Sequence, residues 1–222
     1  MTGPSFLLSG GSRTGDRLTF SGVGMLAAGG PNSTGMDSAA TGTVTLARNG
    51  SPLATGAFAN CRLNDQKGCG LQADLPAGAA DYTLTASVRR EVPYSTLTTG
   101  TESVWRFRSK TTAKEQPLPL MAVRYAPEEL DDHNRAKPGS STRVPLWVER
   151  NPGAAKASVT SMRLEMSTGT GWRQVPVVRD GTRWTAVLPN PGQAGFVSLR
   201  ATVSDSSGAG VTQTITRAYA VG

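Results

Sequence analysis

Apolar and polar residues alternate along much of this chain, and that period of two predicts strands. Thr43-Val44-Thr45-Leu46-Ala47-Arg48 alternates and then meets Asn49-Gly50, a pair that favours a tight hairpin turn. Tyr82 to Val88 alternates over seven residues. Ser103 to Arg108 places Trp105 and Phe107 on one face. Farther along, Leu118–Tyr125, Val144–Val148, Met162–Met166, Trp172–Arg179, Arg183–Leu188, Val197–Val203 and Val211–Tyr219 read as strands. Ser204 to Gly208 between the last two has the composition of a turn. About seven strands in about 105 residues is the spacing of an immunoglobulin-like or fibronectin type III-like sandwich.

The breaks in the pattern suggest the organisation. Residues 110–117 (KTTAKEQP) are polar, lack periodicity and end in proline, so they are expected to be a linker. Two tandem antiparallel β-sandwich domains result, an all-β fold spanning 1–109 and 118–222. Pro145 and Pro176 fall inside strand patterns, which predicts edge strands or bulges there. Pro127 to Asn134 (PEELDDHN) predicts one short helix. Residues 29–43, rich in small side chains, read as a long loop.

Composition supports the strand reading. The chain has 222 residues, enough for two domains of sandwich size. Its 26 glycines and 14 prolines suit many turns and disfavour helices. The net charge is +7, with Lys and Arg outnumbering acids by ten to seven in 1–110 and thirteen to nine in 111–222. A charge spread this evenly, with Arg89-Arg90 the only adjacent basic pair, does not concentrate on a nucleic-acid-binding face. It leaves room for a weakly anionic partner such as a cell-wall polymer.

Two cysteines, Cys61 and Cys69, flank a short polar loop containing Gly68. They predict a disulfide, worth roughly 2–3 kcal/mol by loop entropy. Two thiols with no nearby histidine make a poor zinc set. A disulfide implies an oxidising compartment, hence a secreted protein. No leader is legible at residues 1–16, so an export signal is expected upstream. No stretch approaches the apolar length of a membrane span.

Catalytic chemistry finds little support. The single histidine, His133, stands beside Asp131 and Asp132, but adjacency in sequence does not supply triad geometry. Ser33 to Ala39 and Asp205 to Gly208 only loosely match protease nucleophile motifs, and neither has a histidine-bearing partner motif. Glu128, Glu129, Asp131 and Asp132 lie on one polar segment that reads as a solvated face. They offer at most a weak calcium site, as does Asp205, and no other cofactor is expected. Of the four tryptophans, Trp105 reads as core and nothing marks Trp184 as exposed. Trp147 points away from Leu146 and Val148, and Trp172 follows a Gly169-Thr170-Gly171 turn. Trp172 and Trp147 are therefore the candidate binding residues, by stacking on sugar rings.

An ordered set of residues resembles a known family. It includes Val104-Trp105-Arg106-Phe107-Arg108, Gly171-Trp172-Arg173-Gln174-Val175-Pro176-Val177, Val197 to Asp205, and Val211 to Ile215 with Ala218-Tyr219. Together these resemble the C-terminal non-catalytic region of large secreted actinomycete subtilisin-like serine peptidases, over most of 45–222. The resemblance implies an accessory role in stability or in substrate or surface binding. The partner would be an upstream peptidase domain or its protein substrate. The catalytic motifs of that family are not present, so no catalytic residue carries over, and the resemblance is silent on the Cys61–Cys69 loop. The alternative is an independent secreted module that binds carbohydrate, such as cell-wall polysaccharide, or another cell-surface component.

Overall fold

Asn49 and Gly50 both adopt positive φ (49° and 84°), as a two-residue hairpin turn requires. They join two of the strands of an all-β computed structural model that describes residues 10–21, 39–59 and 69–222. The first lobe contains β1 (Gly10–Gly15), β2 (Arg17–Ser21), β3 (Thr41–Arg48), β4 (Ser51–Ala59), β5 (Cys69–Asp74), β6 (Ala80–Arg89), β7 (Gly100–Ser109) and β8 (Thr112–Pro117). Alternation sets their faces: in β6, Ala80, Tyr82, Leu84, Ala86 and Val88 are buried while the residues between them are not.

These strands form one path, β7-β6-β3-β4-β5-β2-β1-β8, that folds back on itself. Phe20 of β2 meets Trp105 of β7 at 5.5 Å between ring centroids. Arg13 of β1 reaches Tyr82 of β6 and Ser109 of β7. The fold-over lies at β4–β5, where, among the described residues, Ala57–Gly70 and Phe58–Cys69 are the pairs that join the strands. Backbones approach closely there: a Cβ on Gly56 would strike the Gly70 carbonyl, and one on Gly70 the Phe20 carbonyl.

The second lobe contains β9 (Met121–Tyr125), β10 (Arg135–Ala136), β11 (Ser141–Arg150), β12 (Val159–Ser167), β13 (Arg173–Val175), β14 (Val177–Asp180), β15 (Arg183–Pro189), β16 (Gly195–Asp205) and β17 (Gly210–Val221). Its sheets have the orders β14-β15-β11-β9 and β13-β12-β16-β17. This is the immunoglobulin-like arrangement, A-B-E-D against C′-C-F-G. Val144, Leu146, Ala186 and Leu188 of one sheet and Leu164, Leu199, Ala201 and Ile215 of the other belong to the buried core.

The prolines act as punctuation. Pro176 separates β13 from β14, which lie at the edges of different sheets, so the chain crosses the sandwich there. Pro145, expected in an edge strand or a bulge, instead sits in β11, an inner strand of its sheet. Its pairing with β9 begins only at Leu146, so the missing N–H falls where that ladder ends.

Two further local expectations are corrected. Residues 112–117, expected within the linker, form β8 against β1. Their side chains are mostly exposed, and an edge strand with no buried face carries no apolar period to reveal it. The segment 127–134 forms no helix. Glu129 and Asn134 have left-handed φ, and the Asp131 carboxylate accepts from the backbone N–H groups of His133 and Arg135. That side-chain-to-backbone pattern competes with a helix.

The lobes share a sheet. Seven residues of β17, Gly210 to Thr216, pair antiparallel with β7 of the first lobe. The last two residues of β17 take β10 as a parallel neighbour instead. Around this seam, Trp105 Nε1 donates to the Met121 carbonyl at 2.6 Å. Asn151 Nδ2 donates to the Gly11 and Leu118 carbonyls at 2.7 and 2.8 Å. Fully buried Gln213 uses its amide as a strand rung: its Oε1 accepts from Val123 N–H, and its Nε2 donates to Val123 C=O, both at 2.9 Å.

Gln213→Met keeps side-chain length but leaves both Val123 backbone groups without that rung. Urea unfolding is expected to show a loss of about 2–4 kcal/mol, with a smaller loss for Thr212→Ala on the neighbouring, partly exposed position.

Candidate functional site

The outer face of β12, β13 and β16 carries the most organised polar chemistry. Arg200 and Glu165 lie opposite each other on β16 and β12, on the face away from core residues Leu199 and Leu164. The Arg200 guanidinium forks onto the Glu165 carboxylate at 2.8 and 2.9 Å. Arg163 adds a third contact to the same carboxylate at 2.9 Å. Bonding from Arg200, then from Arg163, holds the Glu165 carboxyl below its ordinary titration range despite burial.

Trp172 caps this row. The Arg200 guanidinium sits 4.4 Å from the centre of its indole ring, a cation–π contact. Trp172 is 37% exposed as a residue and lines a shallow cleft of about 440 Å³ with Met166, Arg173 and Pro191. Trp172 therefore lies at an exposed loop edge just before β13, as the glycine turn before it suggested.

Trp147 is elsewhere. It is half-buried on β11, in the opposite sheet, with Arg124 and Arg183 as its cross-strand partners. The two candidate binding tryptophans therefore belong to separate sheets and do not make one site. Trp105 and Trp184 are buried. Arg179 lies 5.5 Å from the Trp184 ring, a second arginine–indole pair.

The candidate acidic and nucleophilic groups have structural partners. Asp205 is buried in the turn between β16 and β17. Its Oδ2 accepts from Arg150 at 2.8 Å, and its Oδ1 accepts from the Ser207 hydroxyl and backbone at 2.6 and 2.9 Å. Burial pushes its carboxyl upward, but the Ser207 and Arg150 bonds outweigh it and leave the group below its ordinary value of 3.8. His133 is exposed in its turn, and Asp131 is engaged by backbone N–H groups. Glu128 lies 3.7 Å from Arg143. Among the described residues, no three His, Cys, Asp or Glu side chains gather as metal ligands. No helix there is long and apolar enough to cross a membrane.

Cys69 is buried at the start of β5, opposite Phe58. Cys61 lies outside the described residues, and the Cys61–Cys69 pairing with it. So do Ser33 to Ser38 of the weak nucleophile motif and most of the expected 29–43 loop, of which Thr41 to Thr43 belong to β3.

The arginine–carboxylate row and the interlobe seam were not singled out from sequence. One signal was available for the seam: Gln213 occupies a core register between Val211 and Ile215, where alternation calls for an apolar residue.

No family model matches the chain, and no curated protein matches it. Solved structures similar to it include the fibronectin(III)-like modules of Clostridium thermocellum CbhA, at 11% identity and a TM-score of 0.27. That match covers 100% of this chain and 88% of the other. A chimeric titin Z1Z2 tandem matches at 12% identity and a TM-score of 0.27, covering 92% and 89%. Such distant likeness carries no functional argument, and the fold assignment rests on strand order and register.

Asp205→Asn is expected to lower stability at neutral pH by about 2 kcal/mol, the scale of a hydrogen bond to a charged group. The folded-state pKa of Asp205 is depressed, so its stabilisation is complete above 3.8 and fades as pH falls through the lower folded value. Denaturation of both proteins across acidic pH should show the gap between them narrowing in that direction.

Proposed function

We propose that this chain is a non-catalytic accessory region of a secreted subtilisin-like serine peptidase, acting as a rigid two-lobed unit that stabilises or positions its parent. The observation that carries this reading is the shared sheet: β17 pairs with β7, so the lobes are not free to swing. A fixed relation between lobes suits a positioning or supporting part. The family resemblance supports the reading from an independent direction. Its marked residues occupy structural stations, with Trp105 at the seam, Trp172 over Arg200 and Tyr219 hydrogen-bonded to Asn190.

Placement of the reactive groups agrees with a non-catalytic role. Asp205 is committed to its turn, and the His133 backbone and Asp131 hold another turn. The rival reading, a carbohydrate- or surface-binding module, would rest on Trp172. Arg200 already covers one face of that indole, leaving less of it for a sugar ring.

The deciding experiment is to probe the native culture supernatant with an antibody to this chain and with a fluorophosphonate that labels active serine peptidases. One labelled species far above 23.1 kDa is expected. An unlabelled species of 23.1 kDa, or an intracellular one, overturns the proposal.

Secretion further implies the Cys61–Cys69 disulfide, which would tie the start of β5 to the segment before it. Thiol titration of this 222-residue chain, exported by itself and then denatured, should find no free thiol before reduction and two after it.

A further inference from the structure

The seam between the lobes leaves a cleft of about 350 Å³. Its first wall is the β7–β8 connection and the chain leaving β8, with Lys110, Pro117 and Pro119. Its second wall comes from the β11–β12 and β16–β17 connections, with Ala155, Lys156, Ala157 and Ala209. In an immunoglobulin-like sandwich these are two of the loops clustered at one end, the end that variable domains use for binding. Here that end is docked on the first lobe: Gly153 lies against Pro117, and Asn151 bonds to Gly11 and Leu118.

The cleft is small, apolar and positively charged. Its volume is near the lower end of ligand pockets, roughly 300–1,000 Å³. Prolines, alanines and Leu118 supply apolar surface. Arg13, Arg108, Lys110 and Lys156 line it, and no acidic side chain does. Asp16 pairs with Arg13 and Asp81 with Arg108. Lys110 and Lys156 have no ion-pair partner among the described residues, so their charge is open to a ligand. Arg13, only 1% exposed, commits its Nε to the Gly15 carbonyl at 3.0 Å and a terminal nitrogen to Asp16 at 2.6 Å, so it stiffens the wall of the cleft and leaves Lys110 and Lys156 as the groups that can reach a ligand.

We propose that the interlobe cleft binds a short apolar molecule ending in a carboxylate. Its apolar part would lie on the proline and alanine walls, and its carboxylate would meet Lys110 and Lys156. A peptide C-terminus and a free aliphatic acid share this chemistry.

Calorimetric titration of the full chain with acetyl-alanyl-alanine, its C-terminal amide and hexanoate tests the assignment. The peptide acid should bind, and the amide roughly tenfold more weakly or not at all. Hexanoate binding as tightly as the peptide acid would support the site with free acids as its source; weaker hexanoate binding would support peptide ends. Lys110→Gln with Lys156→Gln should weaken the acid roughly three- to tenfold, the scale of two solvent-screened ion pairs. Ala155→Phe, at an exposed loop position, should block the cleft without altering the thermal transition. Equal binding of acid and amide, binding unchanged in both variants, or no binding of any probe at millimolar concentration overturns the proposal.

Discussion

The structure depends on how the outer edge of β17 is satisfied. An open strand edge presents unpaired N–H and C=O groups and invites association. Here seven residues pair with β7, and the last two pair with β10. A change in conformation lies between these partners: Arg217 has a left-handed φ of 53°, and the register against β16 shifts nearby. One strand thereby closes its own sandwich and joins it to the neighbouring lobe.

Burying that junction obliges polar groups to find partners in a dry environment. Gln213 meets both backbone groups of Val123, Trp105 meets the Met121 carbonyl, and Asn151 meets one carbonyl of β1 and one of the chain that connects the lobes. These bonds specify orientation more than they add stability, because each replaces a bond to water and nets only about 1 kcal/mol. Leaving one unmade costs more, so the buried amides fix how the lobes meet. The same geometry brings the end loops of the second lobe against the first and creates the cleft.

Legibility in the sequence follows the physics of each feature. The hairpin at Asn49-Gly50 and the strands β6, β7, β16 and β17 were readable because each has one buried face and one wet face. Strand β8 was not, because both its faces are largely wet. The helix expected at 127–134 had a suitable composition, but nothing in that composition shows Asp131 folding back on its own backbone. Trp172 was read at a loop edge from the Gly169-Thr170-Gly171 turn before it. Its partner Arg200 is 28 positions away and becomes visible only when β12 and β16 align.

The sequence by itself determined an all-β chain with an immunoglobulin-like second half, because period-two burial and turn residues are local properties. It also determined which tryptophan enters the first core, through the alternation of Trp105 with Phe107. Tertiary structure alone decided that the two halves share one sheet, that Glu165 joins Arg163 to Arg200, and that a basic, proline-lined cleft lies at the seam. Those outcomes depend on strand order and on hydrogen bonds between residues distant in the chain. Local periodicity says which face of a strand is buried, but not which strand becomes its neighbour.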